Sequence, residues 1–151
     1  MPGFSGTYYN TLDPKGRVII PAQFREILSS THNNSKLILA NDVFDKCLCA
    51  YPVDEWNMLI EKMKSKPQTS DAVKYFMRRV IGSGQECDID KQGRILVSSV
   101  LRTSAGLNSE VVVIGLGNRI ELWDRKECDN IVDPQKINKE AMQEEFSKLD
   151  L

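Results

Sequence analysis

The segment DPKGRVIIPAQFR, Asp13 to Arg25, returns 77 positions later as DKQGRILVSSVLR, Asp90 to Arg102. Asp13 pairs with Asp90, Gly16 with Gly93, Arg17 with Arg94 and Arg25 with Arg102, and apolar positions match apolar positions between them. A tandem repeat constrains the fold more than any single motif, because both copies must form the same unit. Farther along, CLCAYPVDEW corresponds to RIELWDRKEC at an offset of 72, pairing Tyr51 with Trp123 and Glu55 with Glu127. The shorter offset implies five extra residues in the first half, and the polar stretch SSTHNNS, Ser29 to Ser35, is where they are expected.

Each half reads as a strand, a D-x-x-G turn, a second strand, a short helix and two more strands. In the first these are TYYNTL, RVII, AQFREIL, KLILA and CLCAY; in the second, QECDI, RILV, SVLRTSA, EVVVIG and RIELW. Strands this short do not hold a core within one half, so the two halves are expected to share one, most economically as a barrel. Helices decorate it. Trp56, Leu59, Ile60 and Met63 make an apolar stripe at helical spacing, Val73, Phe76, Met77 and Val80 make another, and Pro67 turns the chain between them. A terminal helix opens near Asp133 and Pro134 and carries Ile137, Met142, Phe146 and Leu149. These stripes need a surface, on the barrel or on a neighbouring subunit.

Twenty basic side chains against twenty-one acidic ones leave a net charge of -1, which excludes a globally basic nucleic-acid binder but not a locally basic one. The first residues show no export signal and no apolar run is long enough to span a bilayer, so a cytoplasmic protein is expected. Its cysteines, Cys47, Cys49, Cys87 and Cys128, form no C-x-x-C pair and read as reduced core thiols. Strand alternation puts Cys47 and Cys49 on one face. With His32 as the single histidine, no metal site, cofactor or small-molecule substrate is expected, and no Ser, His and acid set points to catalysis. GLGN, Gly115 to Asn118, lacks the third Gly of a dinucleotide loop and precedes a strand, so it reads as a strand-to-strand turn.

The repeated turn is the remaining candidate. Asp13, Pro14 and Gly16 are turn residues, and Asp90 and Gly93 do the same in the second copy. Turn formation does not account for Arg17 and Arg94. Each Arg either pairs with its own turn Asp or offers its donors to a phosphate or to the O6/N7 edge of guanine. Lys15 adds a charge at the tip of the first turn; Lys91 lies beside Gln92, which replaces that Lys in the second.

On LDPKGRVIIPAQFR, YPVDEW, DIDKQGRILV, AGL and GLGNRIELWD, in that order from Leu12 to Asp124, the chain resembles the MraZ family of bacterial transcriptional regulators, which carries two SpoVT-AbrB-like repeats. The resemblance implies an α+β, mainly β fold in which two internal repeats make a swapped-hairpin, AbrB-like barrel with decorating helices. The expected division is 4–56 for the first repeat, 57–82 for a helical linker, 83–127 for the second repeat and 128–151 for a helical tail. It also implies a nucleoid-associated regulator of the division and cell-wall gene cluster, a ring-forming homo-oligomer bound to double-stranded DNA at short direct repeats. The DNA contact carries over to Asp13 to Arg17, with Lys15 and Arg17 in the main role and Arg94 and Lys91 in a lesser one. An AbrB-type antitoxin, with EEFSKLDL as a toxin-binding tail, and a structural or protein-interaction ring are the alternatives.

Overall fold

The computed structural model describes residues 3–151. The first half comprises β1 (Phe4–Thr11), β2 (Arg17–Ile19), α1 (Ala22–Thr31), β3 (Lys36–Asn41), β4 (Leu48–Pro52), α2 (Val53–Lys64) and α3 (Asp71–Arg79). The second comprises β5 (Gln85–Asp88), β6 (Arg94–Leu96), α4 (Ser99–Ala105), β7 (Glu110–Gly117), β8 (Ile120–Asp124), α5 (Arg125–Ile131) and α6 (Lys139–Lys148). Single 3₁₀ turns lie at Ile81–Ser83 and Pro134–Lys136. Every strand expected from the sequence is present, and the helical pair that follows β4 recurs after β8.

The fold is α+β. Six strands form one antiparallel sheet in the order β1-β7-β8-β4-β3-β5, and β2 and β6 form a separate antiparallel ribbon. Exchanging equivalent strands reverses that order, so the sheet has a pseudo-two-fold axis. The axis passes through the Cys49–Glu121 pair at the centre of the sheet and through the Val18–Ile95 pair at the centre of the ribbon. The halves interleave: β1 pairs with β7, and β5 pairs with β3.

A closed barrel, the expected form of the shared core, is not what the described residues make. The β4·β8 pairing joins the two halves edge to edge into an open sheet with β1 and β5 outermost, and the ribbon lies over one face without joining the backbone ladder of either edge strand, tied to them by Asn10 Nδ2, which donates to Ile19 O at 2.9 Å, and by the Cys87 thiol, 3.5 Å from Leu96 O. The five extra residues of the first half also fall elsewhere than in one loop. α1 has ten residues and α4 seven, whereas the segments that follow them are both four long, so three of the five extend a helix. The other two lie in the Asp42–Cys47 connection, which a two-residue turn replaces in the second half.

The core lies between the ribbon and the sheet. Val18, Ile20, Ile95 and Val97 from the ribbon and its flanks meet Phe24 and Leu28 of α1, Leu101 and Ala105 of α4, and the inward residues Leu37, Leu39, Leu48, Val111, Val113, Ile120 and Leu122 of the sheet. Phe24 and Leu28 sit at i and i+4, the spacing that puts both on one helix face. Ser98 stands where the first copy has Pro21; its side chain accepts from Leu101 N and caps α4. Gly106 ends α4 in the left-handed region at φ +62°, where a side chain would be strained.

The opposite face of the sheet carries the helical decorations. Trp56, Leu59, Ile60, Phe76 and Val80 of α2, α3 and the turn after it cover Ile38, Ala40 and Tyr51. Cys128 of α5 packs with Cys47, Val112 and Trp123. The stripe of α6 finds no such cover among the described residues: Ile137, Phe146 and Leu149 are exposed. Among the described residues, no helix is long and apolar enough to cross a membrane.

Candidate nucleic-acid interface

Each repeated turn is built around one aspartate. In the first, Asp13 Oδ1 accepts from Lys15 N at 3.0 Å and Arg17 N at 2.8 Å, Asp13 Oδ2 accepts from Arg17 Nε at 2.8 Å, and Gly16 N donates to Asp13 O at 2.9 Å. In the second, Asp90 accepts from Gln92 N, Arg94 N and Arg94 Nε at 3.0, 2.8 and 3.0 Å. Gly16 at φ +86° and Gly93 at φ +82° occupy the one position in each turn that an ordinary residue strains to adopt. Of the two alternatives left open by the sequence, the structure displays the pairing: each guanidinium binds its turn Asp through Nε, which aims the rest of it.

That aim is outward. Val18 and Ile95 point into the core, so strand alternation turns Arg17, Ile19, Arg94 and Leu96 to the other side, where Ile19 and Leu96 are exposed. Across the ladder Arg17 faces Leu96, and Ile19 faces Arg94. Asp13 Oδ2 also lies 4.0 Å from Arg94 Nη1, so one carboxylate touches both guanidinium groups. Lys15 and Lys91 stand exposed at the turn tips.

The two ends differ in one respect. Arg94 Nη2 donates to Gln92 Oε1 at 2.9 Å. In the first turn Lys15 occupies that place and offers no acceptor, and among the described residues no hydrogen bond engages the Nη groups of Arg17. Arg17 thus keeps free the planar pair of donors that recognise a phosphate or a guanine edge, while Arg94 has spent part of its own.

Two further arginines join the constellation. The guanidinium of Arg102, on α4, lies against Gly16 of the first turn, 2.9 Å from where a Cβ would stand, and that of Arg25, on α1, lies against Gly93 of the second at 2.7 Å. Each helix therefore braces the other half's turn. Sequence reasoning had paired these two arginines in the repeat without assigning them to the site; their recurrence at the same offset was the available signal.

The backbone donors of Arg17 and Arg94 are the largest cause holding Asp13 and Asp90 below the ordinary aspartate range; desolvation opposes them, and the pairing with the two Arg side chains adds a smaller lowering. A lowered folded-state value means that each carboxylate stabilises its turn above the unfolded-state value and that this contribution is lost as pH falls through the lowered one. We expect the Lys15, Arg17, Gln92 and Arg94 amide resonances to titrate together below the midpoint of an unstructured aspartate. Midpoints at or above it would contradict this description of the turns.

Other candidate groups do not converge. His32 ends α1, stacks on Phe4 and sets Nδ1 2.8 Å from the Asp54 carboxylate, bridging two helices. The GLGN segment is the end of β7 and half of the two-residue turn into β8.

Fold and site together define a duplicated α+β protein organised around a paired ribbon with a cationic turn at either end. The chain belongs to the MraZ family: the family described as "MraZ protein, putative antitoxin-like" matches it twice, over residues 4–79 and 80–149. Proteins named "Transcriptional regulator MraZ" are similar over nearly the whole length. That of Natranaerobius thermophilus is 37% identical, covering 98% of this chain and 99% of its own, and that of Acetivibrio thermocellus is 38% identical, covering 97% and 98%. The Halothermothrix orenii protein is 44% identical over 86% of this chain and 87% of its own. The solution structure of PHS018 from Pyrococcus horikoshii aligns with 78% of the chain and 94% of its own at 15% identity, with a TM-score of 0.34.

Proposed function

We propose that this protein is a sequence-specific, DNA-binding transcriptional regulator, and that the β2·β6 ribbon is its reading element. The observation that carries the reading is the outward guanidinium of Arg17, with both Nη groups unpartnered beside the exposed Lys15. A two-stranded ribbon is narrow enough to enter a major groove about 12 Å wide, and ribbons of this kind do read base edges there. Arg17 and Lys15 are the principal contacts, Arg94 and Lys91 the weaker ones. The interleaved pairing of β1 with β7 and β5 with β3 supports a swapped-hairpin description, in which 4–56 and 83–127 are the repeats.

The net charge of -1 makes a single ribbon a weak binder. A ring of identical subunits solves this, because several ribbons engage several direct repeats at once and linked contacts multiply through effective concentration. The exposed apolar side of α6 supports assembly, since it has no cover among the described residues. The target is the division and cell-wall gene cluster, including the DNA upstream of the protein's own gene, and the working location is the nucleoid.

Footprinting on that upstream DNA tests the reading. Protection is expected over regularly spaced short repeats, and uniform cleavage at protein concentrations that saturate any other target would overturn it. Affinity should also fall steeply with salt, by about 10³-fold or more between 50 and 200 mM if six to ten phosphates are engaged. A flat dependence would point to apolar recognition. The antitoxin reading, still a DNA binder, makes a different prediction, a single small toxin recovered with the C-terminal segment EEFSKLDL, whereas the structural or protein-interaction ring predicts no retardation of its own promoter fragment.

A further inference from the structure

On the face of the sheet turned away from the ribbon, Asp42, Cys47, Cys49 and Glu121 bring one ligand atom each into a group whose members all lie within 4.8 Å of one another. We propose that this group is a zinc site that ties the two repeats together. Its members come from three places in the chain: Asp42 opens the β3–β4 connection, Cys47 closes it, Cys49 lies on β4 and Glu121 on β8. Cys49 and Glu121 are the cross-strand pair through which the pseudo-two-fold axis passes.

The donor set suits the ion. Zn²⁺ takes four ligands tetrahedrally, with bonds of about 2.3 Å to sulfur and 2.0–2.2 Å to oxygen. Ligand atoms in such a shell stand roughly 3.4–3.8 Å apart, so closure asks for side-chain shifts of about an ångström. The paired thiols select a soft or borderline metal over magnesium or calcium.

The carboxylates are oriented for the task. Asp42 Oδ2 accepts from the backbone N–H groups of Phe44 and Asp45 at 3.1 and 2.8 Å, which leaves Oδ1 turned to Cys49 Sγ at 3.5 Å. Glu121 Oε1 accepts from the Trp123 indole at 2.8 Å, and no hydrogen bond among the described residues engages Oε2. Each carboxylate thus has one oxygen fixed by a donor and the other available, as in metal sites whose ligands are held from outside. The connection itself is clamped: Arg79 Nε donates to Asp42 O at 3.0 Å and Tyr75 Oη to Val43 O at 2.8 Å.

No Lys or Arg side chain forms a hydrogen bond or ion pair with any of the four side chains among the described residues. Four groups that are anionic when ionised are gathered, therefore, without a direct protein counter-ion, although the Arg119 charge acts on Glu121 from nearby. The thiols are buried and the carboxylate residues half-exposed, which leaves an entry route from the oxygen side. β4 and β8 share only three residue pairs, fewer than any other neighbours in the six-stranded sheet, so an ion held by three ligands of one half and one of the other would brace its thinnest joint.

Titration of the reduced protein with Co²⁺ tests the proposal, because thiolate ligation gives an intense charge-transfer absorption in the near ultraviolet. One equivalent should saturate that band and Zn²⁺ should displace it. Cys49→Ser should lower its intensity by about half or more, because Cys47 is then the one thiolate ligand left, and Cys87→Ser, on the other side of the sheet, should leave it intact. Glu121→Gln keeps shape and volume and therefore folding; it should weaken Co²⁺ binding at least about tenfold. Absence of the band from the wild-type protein, its persistence at full intensity in Cys49→Ser, or an unchanged affinity in Glu121→Gln would each overturn the site.

Discussion

Arg17→Ala should abolish detectable binding to the operator while leaving the fold in place. A bidentate Arg contact is worth about 1–3 kcal/mol of discrimination, between roughly 5- and 150-fold in affinity per engaged turn. Because the proposed assembly engages several identical turns, the losses compound. The stability term is small by comparison. The Asp13–Arg17 pair is a half-exposed ion pair, with the Arg side chain 31% accessible, of a kind that solvent screens and that adds little to stability. Gel-shift titration beside a thermal melt separates the two: binding should vanish while the midpoint moves by less than about 3 °C. Arg94→Ala should cost less, because Gln92 already occupies one of its donors. Undiminished binding by Arg17→Ala would remove the ribbon from the proposed function.

Phe24→Ala should have the largest effect on stability. Its ring is fully buried between the ribbon and the sheet and meets Phe4 and Tyr8 edge-on, with centroids 5.4 and 5.2 Å away. Gly115 makes room for it, since a Cβ there would stand 2.8 Å from Phe24 Cζ. Truncating a buried Phe leaves a cavity that the surrounding strands cannot close, at about 3–5 kcal/mol. For a chain of this length that lowers the thermal midpoint by roughly 6–20 °C. Calorimetry showing a shift of under about 3 °C would mean that the site collapses without loss, contrary to this packing.

The repeat made much of this legible in advance. A motif seen twice fixes its own register, which is why the D-x-x-G turns, the strands beside them and the short helices fall where the pattern put them. Strand pairing was less accessible. Whether β4 meets β8 or the ribbon closes onto an edge depends on contacts between residues some 70 positions apart, on which local periodicity is silent. The placement of the five extra residues shows a related effect. SSTHNNS reads as loop from its polar composition, yet Ser29, Ser30 and Thr31 complete α1 because Leu28 anchors the helix in the core just before them.

At the candidate site the same division holds. Lys15, Arg17, Lys91 and Arg94 could be named from the turns alone. The bracing of each turn by the opposite helix could not, because Arg102 reaches Gly16 only once the halves interleave. Alternation correctly placed Cys47 and Cys49 on one face, but Asp42 and Glu121 come to them through the β4·β8 ladder.

Joining both strands of the ribbon in one polypeptide has a consequence for the kind of site the proposed regulator reads. Two identical chains meeting at a true dyad must present the same reader to both strands of the duplex, and their preferred target is a palindrome. Here the two ends have diverged, with Lys15 and an open Arg17 at one and Gln92 tied to Arg94 at the other. The ribbon therefore has a head and a tail, and the proposed function would then impose a direction on the DNA that the protein occupies.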